Sequence, residues 1–368
     1  MNFSWSQVSA RRLARHHLSA PAEGLPLAEV VRRMGSTHAQ VMSAAELGLG
    51  LRSKGATRQS VREALWQERS LVKTFGPRGT VHLLPAEDLP VWLGALSALP
   101  SATAATPEMR MPAEQVEAVI AAIGEALDGQ ELTVDELDAE VVARTGPWAG
   151  DLVMPAFQGW WPRWRQVISV AAHRGVLAFG AGRGRKVTYV NPRIEPAPAD
   201  SSLEQVATWF LHAFGPATPE RFAHFMNAPK PLGRAVFDRL DLEAVTVEGR
   251  PAVVARGDLW VPDEPPSGVL LLPYFDYYSY AVGNDKELLH PGPAAERVMG
   301  KNFQTLIVDG VVAGLWHQKR SGSRLAVTVE ALTAVDLDLL EEQVIRVGEI
   351  MEARPTLTLG PVTVGGHA

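Results

Sequence analysis

The sequence predicts an α+β chain: three tandem winged-helix units that together form a concave surface, then a small β-rich, barrel-like C-terminal domain. Three observations carry this. Short amphipathic helices followed by strand, turn and strand recur three times before residue 262, the element order of a helix-turn-helix with a hairpin wing. After Pro262 the pattern changes to successive apolar strands and one terminal helix. The length of 368 residues, with 46% hydrophobic and 21% charged, suits several compact units. The expected divisions are 1–110, 111–198, 199–262 and 268–368, with the boundary of the last at 263–267.

In the first unit, helices are expected over 6–18 and around Leu27, Val30, Val31 and Met34. Thr57 is placed to cap a further helix through Trp66. Strands follow at 71–75 and 80–84, around the turn Gly76-Pro77-Arg78-Gly79. Residues 35–55 are extra to a plain winged helix. In the second unit, Val116, Val119, Ile120, Ile123 and Leu127 mark one helix, and Thr133 with Glu136 forms a capping box for the next. Trp164, Val167, Ile168 and Ala171 mark a third, before strands at 176–179 and 186–190 joined through Gly180–Gly184. The third unit is the clearest. Leu203, Val206, Ala207, Phe210, Leu211 and Phe214 share one helical face, and Thr218-Pro219-Glu220 opens a second helix. A third helix covers 232–240, then strands 244–247 and 250–255 turn at Glu248-Gly249. In the C-terminal domain, strands are expected at 269–272, 302–308, 311–318 and 324–329, with Asp309-Gly310 a hairpin turn, and a helix over 336–354.

The bulk numbers exclude several classes. There is no cysteine, so disulfides, thiolate catalysis and cysteine zinc sites are out. No apolar run approaches the roughly 20 residues of a membrane span, and the first ten residues do not resemble a secretion signal. A cytoplasmic protein is expected. The net charge of −6 hides an uneven distribution. Residues 160–193 hold seven basic side chains and no acid, and Arg11, Arg12, Arg15, His16 and His17 cluster at the N-terminus. Acid gathers at 128–140 and 336–352, which suggests a basic face and an acidic back. The second hairpin tip carries Arg183, Arg185 and Lys186 among glycines, a pattern that lets backbone approach a phosphate chain while cations neutralise it. Arg78 sits at the first hairpin tip, and Lys319, Arg320 and Arg324 straddle a C-terminal one. These seven are the expected DNA contacts, and a cradle built within one chain is expected to act as a monomer on double-stranded DNA. Trp160 and Trp161 adjoin Arg163 and Arg165 and could stack on bases, although tryptophan at helical spacing more often belongs to a core.

There is no phosphate loop, no HExxH and no nucleophile elbow. The ten histidines show no metal spacing, and neither metal nor cofactor is expected. What remains is Gly35-Ser36-Thr37-His38-Ala39-Gln40 in the extra segment. The runs 30–51, 71–88 (with Arg78-Gly79-Thr80-x-His82), Leu270 to Asp276, and Val308 to Trp316 (with Asp309-Gly310-x-x-x-Gly314-x-Trp316) resemble winged-helix DNA glycosylases of the AlkZ type over nearly the whole chain. The resemblance implies three winged helices forming a concave cradle around the duplex. It also implies a central Gln-x-Gln motif that does the chemistry, and a role in repair or in self-resistance to a DNA-alkylating product. By it, His38 and Gln40 form the catalytic pair, with histidine in place of the first glutamine.

The chemistry permits that replacement. An N7- or N3-alkylated purine is cationic and leaves neutral, so no general acid is needed, and the transition state resembles an oxocarbenium ion. A water beneath C1′ must be held and deprotonated. An amide oxygen and a neutral imidazole can do both. With the usual histidine pKa near 6.5, activity is expected to fall below about pH 6.5; a flat profile between about 5.5 and 8 would remove the general-base role. The expectation is a monofunctional glycosylase for bulky N7-alkylguanine-type adducts. Two other readings stay open: a DNA-binding regulator or lesion sensor without catalysis, and an unrelated enzyme using the region 274–280. Asp276, Asp285 and Lys286 are read first as structural.

Overall fold

The computed structural model describes residues 1–100, 106–156, 159–280 and 285–363. Contacts divide the chain into two compact units, Met1–Leu71 with Ala207–Ala368, and Val72–Val206. Among the described residues, no helix is long and apolar enough to cross a membrane.

In the first unit, helix Trp5–Arg15 starts at Ser4, which forms a reciprocal capping box with Gln7. Just before it, Asn2–Phe3 pairs in parallel with strand Leu242–Val247, making a three-stranded sheet with Arg250–Ala255. Phe3 and Val8 pack there with Val245, Val247 and Val254. The N-terminus thus belongs to the hairpin expected in the third sequence unit. Glu248 and Gly249 both have positive φ, as do Asp309 and Gly310, so both hairpin turns have the expected handedness. Helix Pro219–Met226, capped by Thr218, and helix Lys230–Phe237 follow. They contribute Phe222, Phe225 and Phe237 to an aromatic cluster with Phe210 and Phe214.

The rest of this unit is an open, five-stranded half-barrel. Strands Val269–Leu272, Gln304–Val308, Val311–Ser321 and Arg324–Ala331 run antiparallel, and Arg354–Leu359 joins in parallel after helix Leu337–Ile350. That last strand, which begins where the helix was expected to end, is new. The extra segment 35–55 also finds its purpose here. Its helix Met42–Arg52 is buried almost all round, and Leu47 and Leu51 share a core with Leu271, Leu306, Trp316 and Val347. A Cβ on Gly50 would lie 2.3 Å from Ile350 Cγ2, so glycine allows this helix to seat against Leu337–Ile350. Arg346 clasps its end by donating to the carbonyls of Gly50 and Ser53, each at 2.8 Å.

In the second unit, helices Ala113–Ala126, Val134–Thr145 and Ile168–His173 surround Trp164 and Leu177. The Thr133–Glu136 capping box is formed. The three-stranded sheet has the order Glu131–Thr133, Thr188–Val190, Ala178–Phe179. Gly175 has φ +75° and a Cβ there would sit 1.7 Å from the Ile194 carbonyl oxygen, so no other residue fits the turn. Helix Leu89–Ser97 and a second hairpin, Leu152–Pro155 with Trp160–Pro162, were not expected. They divide the tryptophans: Trp164 is fully buried and donates to Asp138 at 2.6 Å, while Trp160 and Trp161 are exposed, with Arg165 over the Trp161 ring.

Candidate active site

Helix Leu27–Arg33 ends at Met34, and Gly35, with φ +82°, turns the chain into the short extended stretch that carries Thr37 and His38. His38 is 8% exposed and Ala39 is buried, whereas Gln40 is exposed just before helix Met42–Arg52. Sequence separation of two across a buried Ala39 lets His38 and Gln40 serve one side of the chain. The His38 ring lies against Phe275, with centroids 4.6 Å apart and planes at 42°. A cavity of about 10 Å³ adjoins them, lined also by Met34, Thr37, Gly48, Pro273 and Tyr277. It has room for about one water.

Phe275 was not singled out by sequence reasoning. It has φ +58°, a rare conformation for a bulky side chain, and the surrounding groups hold it there. The next residue, Asp276, accepts two 2.8 Å hydrogen bonds from Arg52, both side chains being almost wholly buried, and it also accepts from the Tyr278 amide at 3.0 Å. Ser36 donates to the Tyr277 hydroxyl at 3.2 Å. Tyr278 donates to the Gly310 carbonyl at 2.6 Å, and the Trp316 indole to the Leu272 carbonyl at 2.8 Å. The Leu-Leu-Pro-Tyr-Phe-Asp and Asp-Gly…Gly-x-Trp runs thus have one shared task, to fix the loop behind His38. The signal for Arg52 was the lone cation of a mainly apolar helix.

Arg11, Arg12, Arg15 and His16 of the N-terminal basic cluster are held in internal contacts rather than on a free basic face. Arg11 and Arg15 bind Asp258 at 2.6 and 2.5 Å, and Arg12 lies 3.8 Å from Asp285, which Arg221 meets at 2.6 Å. Burial, with Arg221 nearby, brings the Arg12 pKa down to about 9. Burial first, and then Arg52, holds His16 well below its usual value, and its Nε2–H donates to the Ala213 carbonyl at 3.0 Å. The separation into a basic face and an acidic back also fails within the second unit. Arg183 pairs with Glu136 at 2.8 Å, Lys186 with Asp135 at 2.8 Å and Arg193 with Asp128 at 2.5 Å, so the acids of 128–140 fold onto the basic hairpin. Arg185 is exposed and has no ion pair among the described residues. Arg78 is exposed at its tip with φ +64°, while His82 is buried and bonded to the Thr80 carbonyl. On the C-terminal hairpin, Lys319 and Arg324 are exposed, but Arg320 donates to the Met351 carbonyl at 3.0 Å and so closes helix Leu337–Ile350. Asp276 and Asp285 have the structural roles first read for them.

The profile of the family described as DNA glycosylase AlkZ-like matches residues 31–350. The chain is 32% identical over 340 residues to an interstrand DNA cross-link repair glycosylase of Streptomyces sahachiroi, covering 86% of this chain and 88% of that protein. The solved structure of the Streptomyces sahachiroi DNA glycosylase AlkZ superposes with a TM-score of 0.80 at 27% identity, over 98% of this chain and 100% of that one. The matched span includes the His38–Gln40 stretch, the Phe275 loop and the half-barrel that supports it, and the chain belongs to the AlkZ-like DNA glycosylase family.

Proposed function

We propose that this DNA glycosylase is monofunctional and hydrolyses the N-glycosidic bond of bulky alkylated purines, of the N7-alkylguanine type, in repair or in self-resistance to an alkylating natural product. The observation that carries the reading is His38, held against Phe275 beside a water-sized cavity, with exposed Gln40 two residues on. In this mechanism the cationic base departs neutral, taking the electrons of the C1′–N bond. Water oxygen then bonds to C1′, and its proton passes to the neutral His38 imidazole while Gln40 orients it. A fixed ring costs no reorganisation when positive charge develops on the sugar. The name of the Streptomyces relative adds interstrand cross-links to the substrates worth offering.

The same proposal takes Arg78, Arg183, Arg185, Lys186, Lys319, Arg320 and Arg324 as phosphate contacts on tandem winged-helix units, divided at 1–110, 111–198, 199–262 and 268–368, acting as a monomer. Arg185, Lys319 and Arg324 are the best placed, being exposed without a carboxylate partner among the described residues. The test is base release from a duplex with one N7-alkylguanine, methyl or bulky, against spontaneous depurination. Release should fall by about a hundredfold or more in His38→Ala and in Gln40→Ala, the range for loss of a positioned proton acceptor. Release that both variants retain would remove the pair from the chemistry.

A further inference from the structure

Phe275 also lines a second and larger concavity in the first unit. This cleft of about 140 Å³ is lined by ten residues, among them Phe275, Val298, Phe303, Lys286, Lys301 and Asn302, and none of the ten is a carboxylate. Its volume is well under the roughly 300 Å³ that starts the range for drug-sized ligands, so it suits a small fragment. Its walls are built rather than incidental. Phe303 is covered on one side by Arg297 at 5.2 Å, and Arg297 is itself fixed by two 2.8 Å bonds to Glu330. Buried His290 donates from Nδ1 to the Lys286 carbonyl at 2.8 Å and so pins the turn that presents Lys286. The Lys301 ammonium donates to the carbonyls of Glu296 at 3.0 Å and Arg297 at 3.3 Å, which leaves one of its three protons for a ligand.

Like Arg185, Lys319 and Arg324, the cations of this cleft have no carboxylate partner among the described residues, and here two of them share one concavity. Arg11, Arg15, Arg183, Lys186 and Arg193 each bind a carboxylate, whereas Lys286 and Lys301 have none within ion-pair distance among the described residues. Two cations and an amide beside an apolar wall match a phosphate group with a sugar against it. The position fits as well. Phe275 lines both the cleft and the His38 cavity, so the two adjoin through one side chain, and a phosphate held in the cleft would belong to the strand near the reacting nucleotide.

We propose that this cleft seats one phosphodiester of the strand that carries the target nucleotide, with Lys286, Lys301 and Asn302 as its donors. The proposal rests on the reading of His38 as the reaction centre only for which phosphate is held. The test uses the full chain and a duplex with a stable abasic-site analogue, in which each phosphate flanking the site is replaced in turn by a neutral methylphosphonate. Wild-type affinity should fall by about tenfold at one or two positions, the scale of one charge-assisted contact. In Lys286→Ala/Lys301→Ala that local loss should vanish while losses elsewhere remain, and an unchanged circular dichroism spectrum should show that the fold survives loss of the Lys301 bonds to the Glu296 and Arg297 carbonyls. The same positional losses in the double variant, or none in wild type, would overturn the assignment. If inorganic phosphate raises the melting temperature of wild type but not of the variant, and no position matters, the cleft is a free-anion site and the proposal also falls. Base release from an alkylated duplex with an intact backbone is measured in parallel. Its failure would remove the His38 chemistry and leave the phosphate result standing.

Discussion

At Phe275 the backbone takes φ +58°, which costs a residue of this size about 1–3 kcal/mol and persists only where the surroundings demand it. The demand comes chiefly from Asp276, locked to Arg52 by two hydrogen bonds in a dry environment. Removing one partner leaves a buried charge uncompensated, so Asp276→Ala should lose about 3–5 kcal/mol in urea unfolding. Replacing both, as Arg52→Met/Asp276→Leu, should recover most of that loss, because the pair's attraction only offsets its own desolvation. A double variant as unstable as the single one would show that Asp276 acts through the loop geometry instead. The residues proposed to do chemistry, His38 and Gln40, were found through a family resemblance. The residues that position them were not, since a stacking partner more than two hundred positions away leaves no local pattern.

Helix Met42–Arg52 is the element that joins the His38–Gln40 stretch to the half-barrel. Its contact with helix Leu337–Ile350 passes through Gly50, and an added methyl would meet three atoms of Ile350 within 3.2 Å. Gly50→Ala should therefore destabilise by about 1–3 kcal/mol despite the better helix propensity of alanine. Adding Ile350→Ala should make the double variant more stable than the sum of the single effects, because the two changes share one contact. Strict additivity in denaturant midpoints would place the strain elsewhere. Elements that begin with a cap were legible from sequence: Thr57, Thr133, Thr218 and Asp336 each open a helix within a residue or two of expectation. Strands Asn2–Phe3 and Arg354–Leu359 were not, because each pairs in parallel with a strand whose sequence neighbours do not announce it.

At the scale of the whole molecule, burial shifts several of the histidines. It lowers the pKa of His16, His17, His212 and His290, and takes His173 down to about 4. In the unfolded chain these groups bind protons near pH 6.5, and in the native state only at lower pH. Between those values the unfolded state holds more protons, so stability is complete above about pH 6.5 and declines as pH falls below it. Urea midpoints should drop from pH 8 to pH 5, and His16→Phe should flatten part of the slope; equal midpoints across that range would discard the linkage. By itself the sequence determined the α+β class, most helix starts, the hairpin turns and the family, because caps, turns and periodicity are local and the motif runs are contiguous. Only the tertiary structure decided which cations are structural, why residues 35–55 are present, and what stands behind His38. Each of those depends on a partner supplied from far along the chain: Asp258 for Arg11, Ile350 for Gly50 and Phe275 for His38.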